Sequence, residues 1–250
     1  MIDLHCHLLP GVDDGPANVA EALDFAREQV AAGVHTVVCT PHASHGYPRN
    51  TGEAITGWTQ SLAGDLAAAG IPLELRPGAE VALARAIELD DPELQALHLG
   101  DSGWLLLEPP LATDVPRLGS LVHTLQARGH KILLAHPERC AAFHNDPPLL
   151  AELVQHGARV QVTASALAGD FGRTVSRLAK AMVDADLVHV VSSDAHDARR
   201  RPPGLAAPLK AAGFAWLTEW ACEQVPSALL AGEELPPRPA QPRRGLFGRR

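Results

Sequence analysis

Residues 1–16 read MIDLHCHLLPGVDDGP. The run Ile2–His7 is short and aliphatic at alternate positions, and a Pro10–Gly11 turn follows it, which marks it as a β-strand. Side chains at i and i+2 of a strand point the same way. Asp3, His5 and His7 therefore share one face, and Cys6 takes the other. Two imidazoles at a strand end offer nitrogen ligands to one cation. Asp3, lower on the strand, is placed to orient one of them from behind. Beyond the turn, Asp13 and Asp14 return carboxylates to the same rim, and because adjacent residues diverge, one of the two is expected to point inward.

The same kind of strand recurs along the chain. Further strand-like runs are His35–Thr40, Leu73–Val81, Trp104–Glu108, Lys131–His136, Arg159–Thr163 and Leu187–Ser192. Helical patterns lie between them. In Asn18–Ala32 the residues Val19, Leu23, Ala26 and Val30 fall on one face, Asn18 and Glu21 have capping-box spacing, and Gly33 is a stop. Val115–Arg128, Pro148–His156 and Thr174–Ala185 repeat the theme. Alternating strands and helices imply parallel strands with helices outside. Seven strand runs suggest a closed or nearly closed (β/α) barrel. A doubly wound open sheet is the alternative, although no GxGxxG follows the first strand.

Chemistry collects at the ends of these runs. TVVCTPH ends in His42, RPGAE in Glu80, WLLLE in Glu108 and ILLAH in His136, while VVSSDAH ends in Asp194 and His196. In a parallel barrel the C-terminal strand ends surround one mouth. Imidazoles and carboxylates mixed in this way suit Zn²⁺, Mn²⁺ or Fe²⁺ better than Ca²⁺ or a thiolate site. A single histidine at a strand end is ordinarily structural. His35, His45, His98, His123, His130, His144, His156 and His189 are taken in that sense. Recurrence at one end of six strands is what independent structural needs would not produce.

Bulk properties narrow the function further. The 250 residues carry a net charge of −8, yet five arginines (Arg238, Arg243, Arg244, Arg249 and Arg250) and no acid lie in the last thirteen positions. The body is thus more acidic than the whole, which argues against nucleic-acid binding. Mean hydropathy is near zero, and no apolar run approaches the roughly 20 residues that span a bilayer. No basic-then-apolar leader opens the sequence, so a cytoplasmic location is expected. Four scattered cysteines without CxxC spacing fit a reducing compartment. From Pro236 the composition turns to Pro and Arg, so residues 1–235 are read as the folded domain and 236–250 as a flexible tail. Its arginines, with Leu246 and Phe247, would allow weak contact with an anionic membrane surface.

The set MIDLHCH, GVDDGP, CTPH, GAE, LLLEPP, AHPER and SSDAH resembles the PHP (polymerase and histidinol phosphatase) superfamily. Within it, HxHxxPGVDDG and DAHxxxxRPP are similar to the manganese-dependent protein-tyrosine phosphatases of bacterial capsule and exopolysaccharide clusters, the CpsB/YwqE type. The similarity runs from Met1 to about Gly213. It implies a distorted (β/α)₇ TIM-like barrel with three divalent ions, manganese first and iron or zinc as alternatives. Motif by motif, it implies His5, His7, Asp14, His42, Glu80, Glu108, His136, Asp194 and His196 as ligands, with Arg139 and Arg201 contacting phosphate. It also implies a partner, a membrane-associated bacterial tyrosine kinase with a phosphorylated tyrosine-rich tail. Two departures bear on substrate contacts: Cys140 stands where relatives often have Tyr, and the run Arg199–Arg201 leaves open which guanidinium meets phosphate.

The expected reaction is attack of a metal-activated hydroxide on the phosphorus of a phosphotyrosine, with arginine forks neutralising the non-bridging oxygens. A tyrosyl leaving group has a pKa of about 10, so no general acid is assigned. A thiol mechanism would need an Arg six residues after a Cys, and those positions hold Val12, His45, Asp146 and Ala228. Histidinol-phosphatase-like or other small-molecule phosphomonoesterase activity is the alternative within the superfamily. A non-catalytic, metal-stabilised scaffold is the alternative outside it.

Overall fold

Strand β1, Ile2–Cys6, is buried at all five positions, as a strand covered on both faces must be. It is followed by β2 (Thr36–Cys39), β3 (His42–Ala43), β4 (Glu74–Pro77), β5 (Glu80–Ala82), β6 (Trp104–Glu108), β7 (Lys131–Ala135), β8 (Arg159–Thr163) and β9 (Val190–Ser192). The computed structural model describes residues 1–112 and 115–242. All pairings between these strands are parallel. They form a three-stranded sheet, β1-β2-β4, and a six-stranded one, β3-β5-β6-β7-β8-β9.

The seven expected strand runs are all present, with two differences. The second resumes after Pro41 as β3, and the third divides into β4 and β5 at Gly78–Ala79. Proline has no N–H for a ladder, and a Cβ at Gly78 would lie 2.8 Å from the Val38 side chain. These breaks let β3 and β5 turn into the second sheet with His42 directly opposite Glu80. Two candidate ligands are thereby brought to one edge of the mouth.

The first and last strands meet through a bridge between Cys6 and Ala195. The Asp194 N–H donates to the His5 carbonyl and the His7 N–H to the Ala195 carbonyl, each at 2.9 Å. An open doubly wound sheet would leave its first and last strands apart. The architecture is a distorted (β/α)₇ barrel in two parallel sheets, with β1 and the segment after β9 joined at this seam.

Helices follow the expected spans closely: Val19–Ala31, Leu118–Ala127, Pro147–Gln155 and Arg173–Asp184. Asn18 caps the first, accepting from the Glu21 N–H while the Glu21 carboxylate returns to the Ala17 N–H. Its buried face differs from the one expected. Ala22, Phe25, Ala26 and Gln29 face the barrel, whereas Val19 is 41% exposed. Phe25 supplies the larger apolar anchor, and Gln29 turns inward because it donates to the buried Asp3 carboxylate.

Pro236 and Arg238, placed by composition in the flexible tail, are held against the body. The Trp220 indole donates to the Pro236 carbonyl. The Arg238 guanidinium donates to the carbonyls of Val183 and Val188, pairs with Asp186 at 2.9 Å, and lies over the rings of Trp216 and Trp220. Five donors in a rigid fork can satisfy two buried carbonyls and a carboxylate together, which composition does not reveal. Arg238→Ala is expected to lower unfolding free energy by roughly 1.5–3 kcal/mol, with Arg238→Lys intermediate. Denaturant midpoints of the full chain measure this, and an unchanged midpoint would show the contact to be inert. The remaining tail residues, Arg243, Arg244, Leu246, Phe247, Arg249 and Arg250, lie outside the described residues. Among the described residues no helix is long and apolar enough to cross a membrane.

Candidate metal centre

Nine donors converge at the C-terminal mouth. His5 is the penultimate residue of β1 and His7 follows the strand. Asp14 lies in the next loop, His42 on β3, Glu80 on β5, Glu108 at the end of β6, His136 just after β7, and Asp194 and His196 just after β9. They fall into four overlapping groups: His5, His7 and Glu80; His5, His136 and Asp194; His42, Glu80 and Glu108; and His7, Asp14, His42 and His196. Within each group the donor atoms lie within 4.8 Å of one another. The structure thus brings every expected ligand position into one cluster, and none of the eight histidines taken as structural falls in these groups.

Glu80 is at the centre. One carboxylate oxygen, Oε1, is 2.7 Å from His136 Nε2. The other, Oε2, is 2.9 Å from His42 Nδ1 and 3.4 Å from Nε2 of both His5 and His7. Asp194 Oδ1 lies 3.5 Å from His5 Nε2, and Asp14 Oδ1 lies 3.4 Å from His196 Nε2 and 3.5 Å from His42 Nε2.

Residues behind the donors decide which nitrogen faces inward. His7 Nδ1–H donates to Asp13 Oδ2 at 2.7 Å, leaving Nε2 for the cluster. Asp13 is further held by the N–H groups of Gly15 and His42. Of the Asp13–Asp14 pair, then, Asp14 points inward and Asp13 orients an imidazole. His5 Nδ1–H donates in the same way to Gln161 Oε1 at 3.0 Å, on β8. Asp3, expected in that role, does not take it. The β1–β2 register shifts between Asp3 and Cys6, and the Asp3 carboxylate instead accepts from Ser193 and Gln29. It ties β1 to the seam and to the first helix.

Two donor residues sit in strained backbone. His136 has φ +31° and Asp194 φ +51°, a left-handed region costing non-glycine residues about 1–3 kcal/mol. The turns re-aim both side chains into the mouth.

The electrostatics of the cluster call for positive charge. Burial opposes protonation of His7, yet hydrogen bonds with Asp13 and Glu80 lift its pKa to about 10. Burial would also raise Glu80, but the charge of His5 and hydrogen bonds from His136 and His42 hold it well below the usual range. Asp194, likewise opposed by burial, is drawn down to about 2 by His5, His136 and Arg201. Glu108 is pushed up by burial and by the neighbouring Glu80 charge.

This donor set fits divalent cations. The Nε2 atoms of His5 and His7 face each other at 3.2 Å, a spacing that either a shared proton or a bound cation between the two nitrogens satisfies. Glu80 Oε2, buried beside both, faces three imidazole nitrogens, those of His42 at 2.9 Å and of His5 and His7 at 3.4 Å. No thiolate competes, since all four cysteines are buried. Burial pushes the Cys39 thiol up to about 12 and those of Cys6 and Cys140 well above their ordinary value, which leaves no nucleophilic thiolate among them.

At the rim, Arg139 and Arg201 both reach Asp194 Oδ2, at 2.8 and 2.5 Å. Arg201 also donates to His196 Nε2 at 2.8 Å. Arg199 and Arg200 are exposed, with their backbone N–H groups on Asp197. Of the three consecutive arginines, Arg201 is the one at the cluster. Gln161 and Phe171 are site residues the motifs missed. Gln161 was detectable as a polar residue inside the apolar run RVQVT, and Phe171 only as an aromatic between Gly169 and Gly172.

Residues 1–213 match the family described as "Capsular polysaccharide synthesis, CpsB/CapC". The chain is 38% identical over 202 residues to tyrosine-protein phosphatase YwqE of Bacillus subtilis, covering 80% of this chain and 79% of that protein. It is 29% identical over 213 residues to tyrosine-protein phosphatase CpsB of Streptococcus pneumoniae, covering 81% and 86%. Among solved structures, it is similar to one from work on YwqE from Bacillus subtilis and CpsB from Streptococcus pneumoniae, described as metal-dependent tyrosine phosphatases. The TM-score is 0.81 at 32% identity, covering 97% of this chain and all of that one. With a match across most of its length and this fold, the chain belongs to the CpsB/CapC family of capsular polysaccharide synthesis.

Proposed function

We propose that the protein is a metal-dependent protein-tyrosine phosphatase that hydrolyses phosphotyrosine on a bacterial tyrosine kinase controlling capsule or exopolysaccharide synthesis. The observation that carries this is the overlapping donor cluster, with His5, His7, His42 and Glu80 each in two groups and two guanidiniums at its rim. The names of the relatives support the reaction class.

The ligands are His5, His7, Asp14, His42, Glu80, Glu108, His136, Asp194 and His196, which we assign to three ions, with manganese the first candidate and iron or zinc the alternatives. Such ions supply Lewis acidity toward phosphoryl oxygens and lower the pKa of water toward about 7. Asp13 and Gln161 fix the tautomers of His7 and His5 so that Nε2 is available for binding. Arg139 and Arg201 hold the non-bridging oxygens through planar forks. The departing phenolate needs no protein acid, and none is assigned.

The test is phosphate release from a phosphotyrosyl peptide and from histidinol phosphate, by protein loaded in turn with manganese, iron and zinc. Preference for the peptide is expected. Preference for histidinol phosphate would replace this function with the small-molecule alternative, and no turnover with any metal would favour a scaffold. Arg201→Ala is expected to raise KM for the peptide roughly 10- to 100-fold, the loss of one charged hydrogen-bond set, with a smaller change in kcat. An unchanged KM would remove Arg201 from phosphate binding.

A further inference from the structure

Phe171 lies in the short turn between the helices Ala164–Ala168 and Arg173–Asp184. Gly169 and Gly172 flank the turn at φ +111° and +89°, and the Gly172 N–H closes it on the Gly169 carbonyl at 2.9 Å. A Cβ at either glycine would meet nothing within 4 Å. Their role is therefore conformational, to carry the backbone through left-handed geometry and project the ring. The Asp170 N–H adds a bond to the Ser165 carbonyl, so the ring is presented from a tied loop. Phe171 is half-buried. Its ring centroid lies 4.8 Å from the Arg139 guanidinium carbon and 5.9 Å from that of Arg201. Those two guanidiniums come from different segments, one after β7 and one after β9, yet share one aromatic ring and one carboxylate oxygen, Asp194 Oδ2.

The geometry points to Phe171 as a positioning residue for phosphate capture, holding Arg139 and Arg201 as a matched pair through cation–π contact. It rests on the phosphatase function above and deepens it. Long arginine side chains lose considerable rotamer freedom when they bind, and an aromatic face that orients both beforehand reduces that loss. The ion pair with Asp194 alone would leave the Arg139 fork free to rotate about the shared oxygen, while Arg201 has a second anchor at His196. The aromatic plane removes that freedom and aims the remaining N–H groups outward to where a phosphoryl group arrives.

The test compares Phe171→Leu, which keeps apolar bulk without a π face, with Phe171→Tyr and Phe171→Trp, which keep the face. Two cation–π contacts at a partly exposed site correspond to roughly a 5- to 30-fold effect. Phe171→Leu should raise KM for a phosphotyrosyl peptide by that factor with little change in kcat. It should raise the inhibition constant of inorganic phosphate equally, while the aromatic variants restore both. The Leu effect should also shrink in an Arg139→Ala, Arg201→Ala background, which a merely structural role would not do. The inference is overturned if Leu behaves as Phe, if the aromatic variants are as weak as Leu, or if the phosphate constant stays unchanged while the peptide KM rises. That last outcome would mean that the ring touches the tyrosyl group instead. Should the unmodified protein fail to hydrolyse phosphotyrosine, the function itself falls. Calorimetric titration of inorganic phosphate into the manganese-loaded variants still tests the positioning role, with weaker binding by the Leu variant expected and equal binding overturning it.

Discussion

Glu80→Gln is expected to lower phosphotyrosine hydrolysis by at least about 10³-fold, more than loss of a single preorganised donor usually costs. Glu80 belongs to two donor groups and lies within 3.4 Å of nitrogens on His5, His7, His42 and His136. Glutamine matches its shape but presents one neutral oxygen and an NH₂ group that cannot ligate a cation. The NH₂ would point either at His136 or into the space between His5 and His7. Metal content per chain should fall with activity, while the fold survives because the replacement is isosteric. Elemental analysis and thermal unfolding of the same sample check this. A variant with full turnover and full metal content would remove Glu80 from the centre of the chemistry.

Chelation should have a comparable effect. Exhaustive removal of divalent ions is expected to bring hydrolysis to background, and returning manganese should restore it. Stability should change in parallel, because an ion that binds only the native state stabilises it by about 4 kcal/mol at a thousand times its dissociation constant. Without cations, carboxylates and imidazoles at the mouth must balance charge among themselves at the distances seen around Glu80. Ligands must be deprotonated to bind metal. Uptake should therefore release protons and weaken as pH falls, which calorimetry in buffers of different ionisation enthalpy would detect. Activity that persists in the metal-free protein would contradict the proposed chemistry.

Much of the site was legible in the sequence because its periodicities are local. HxH and DxH are strand spacings, and the recurrence of His or Glu at run ends needs no knowledge of which strands are neighbours. The helix spans were legible through Asn18, Gly33 and their like. What failed had causes beyond local pattern. Asp3 shares its nominal parity with His5, yet a register shift and two polar partners on other elements claim it. Val19 was expected to be buried and is not, because Gln29 is drawn inward by Asp3 and rotates the helix face with it. Arg238 reads as tail composition, but two carbonyls, a carboxylate and two indoles form its socket.

The amino-acid order alone determined that parallel strands alternate with helices and that imidazoles and carboxylates stand at the strand ends. Those facts follow from a period of two along an extended chain and from the chemistry of the residue types. The resemblance already named Asp14 and Arg201, but only the tertiary structure shows how Asp13 turns to His7 while Asp14 faces the cluster, that Gln161 orients His5, that Arg201 lies nearer the cluster than Arg199 and Arg200, and that Phe171 lies against two guanidiniums. Each of these choices depends on distances of a few ångströms between segments far apart in sequence. Such distances are set by how β1 meets the segment after β9 at the Cys6–Ala195 seam and where β3 and β5 break away.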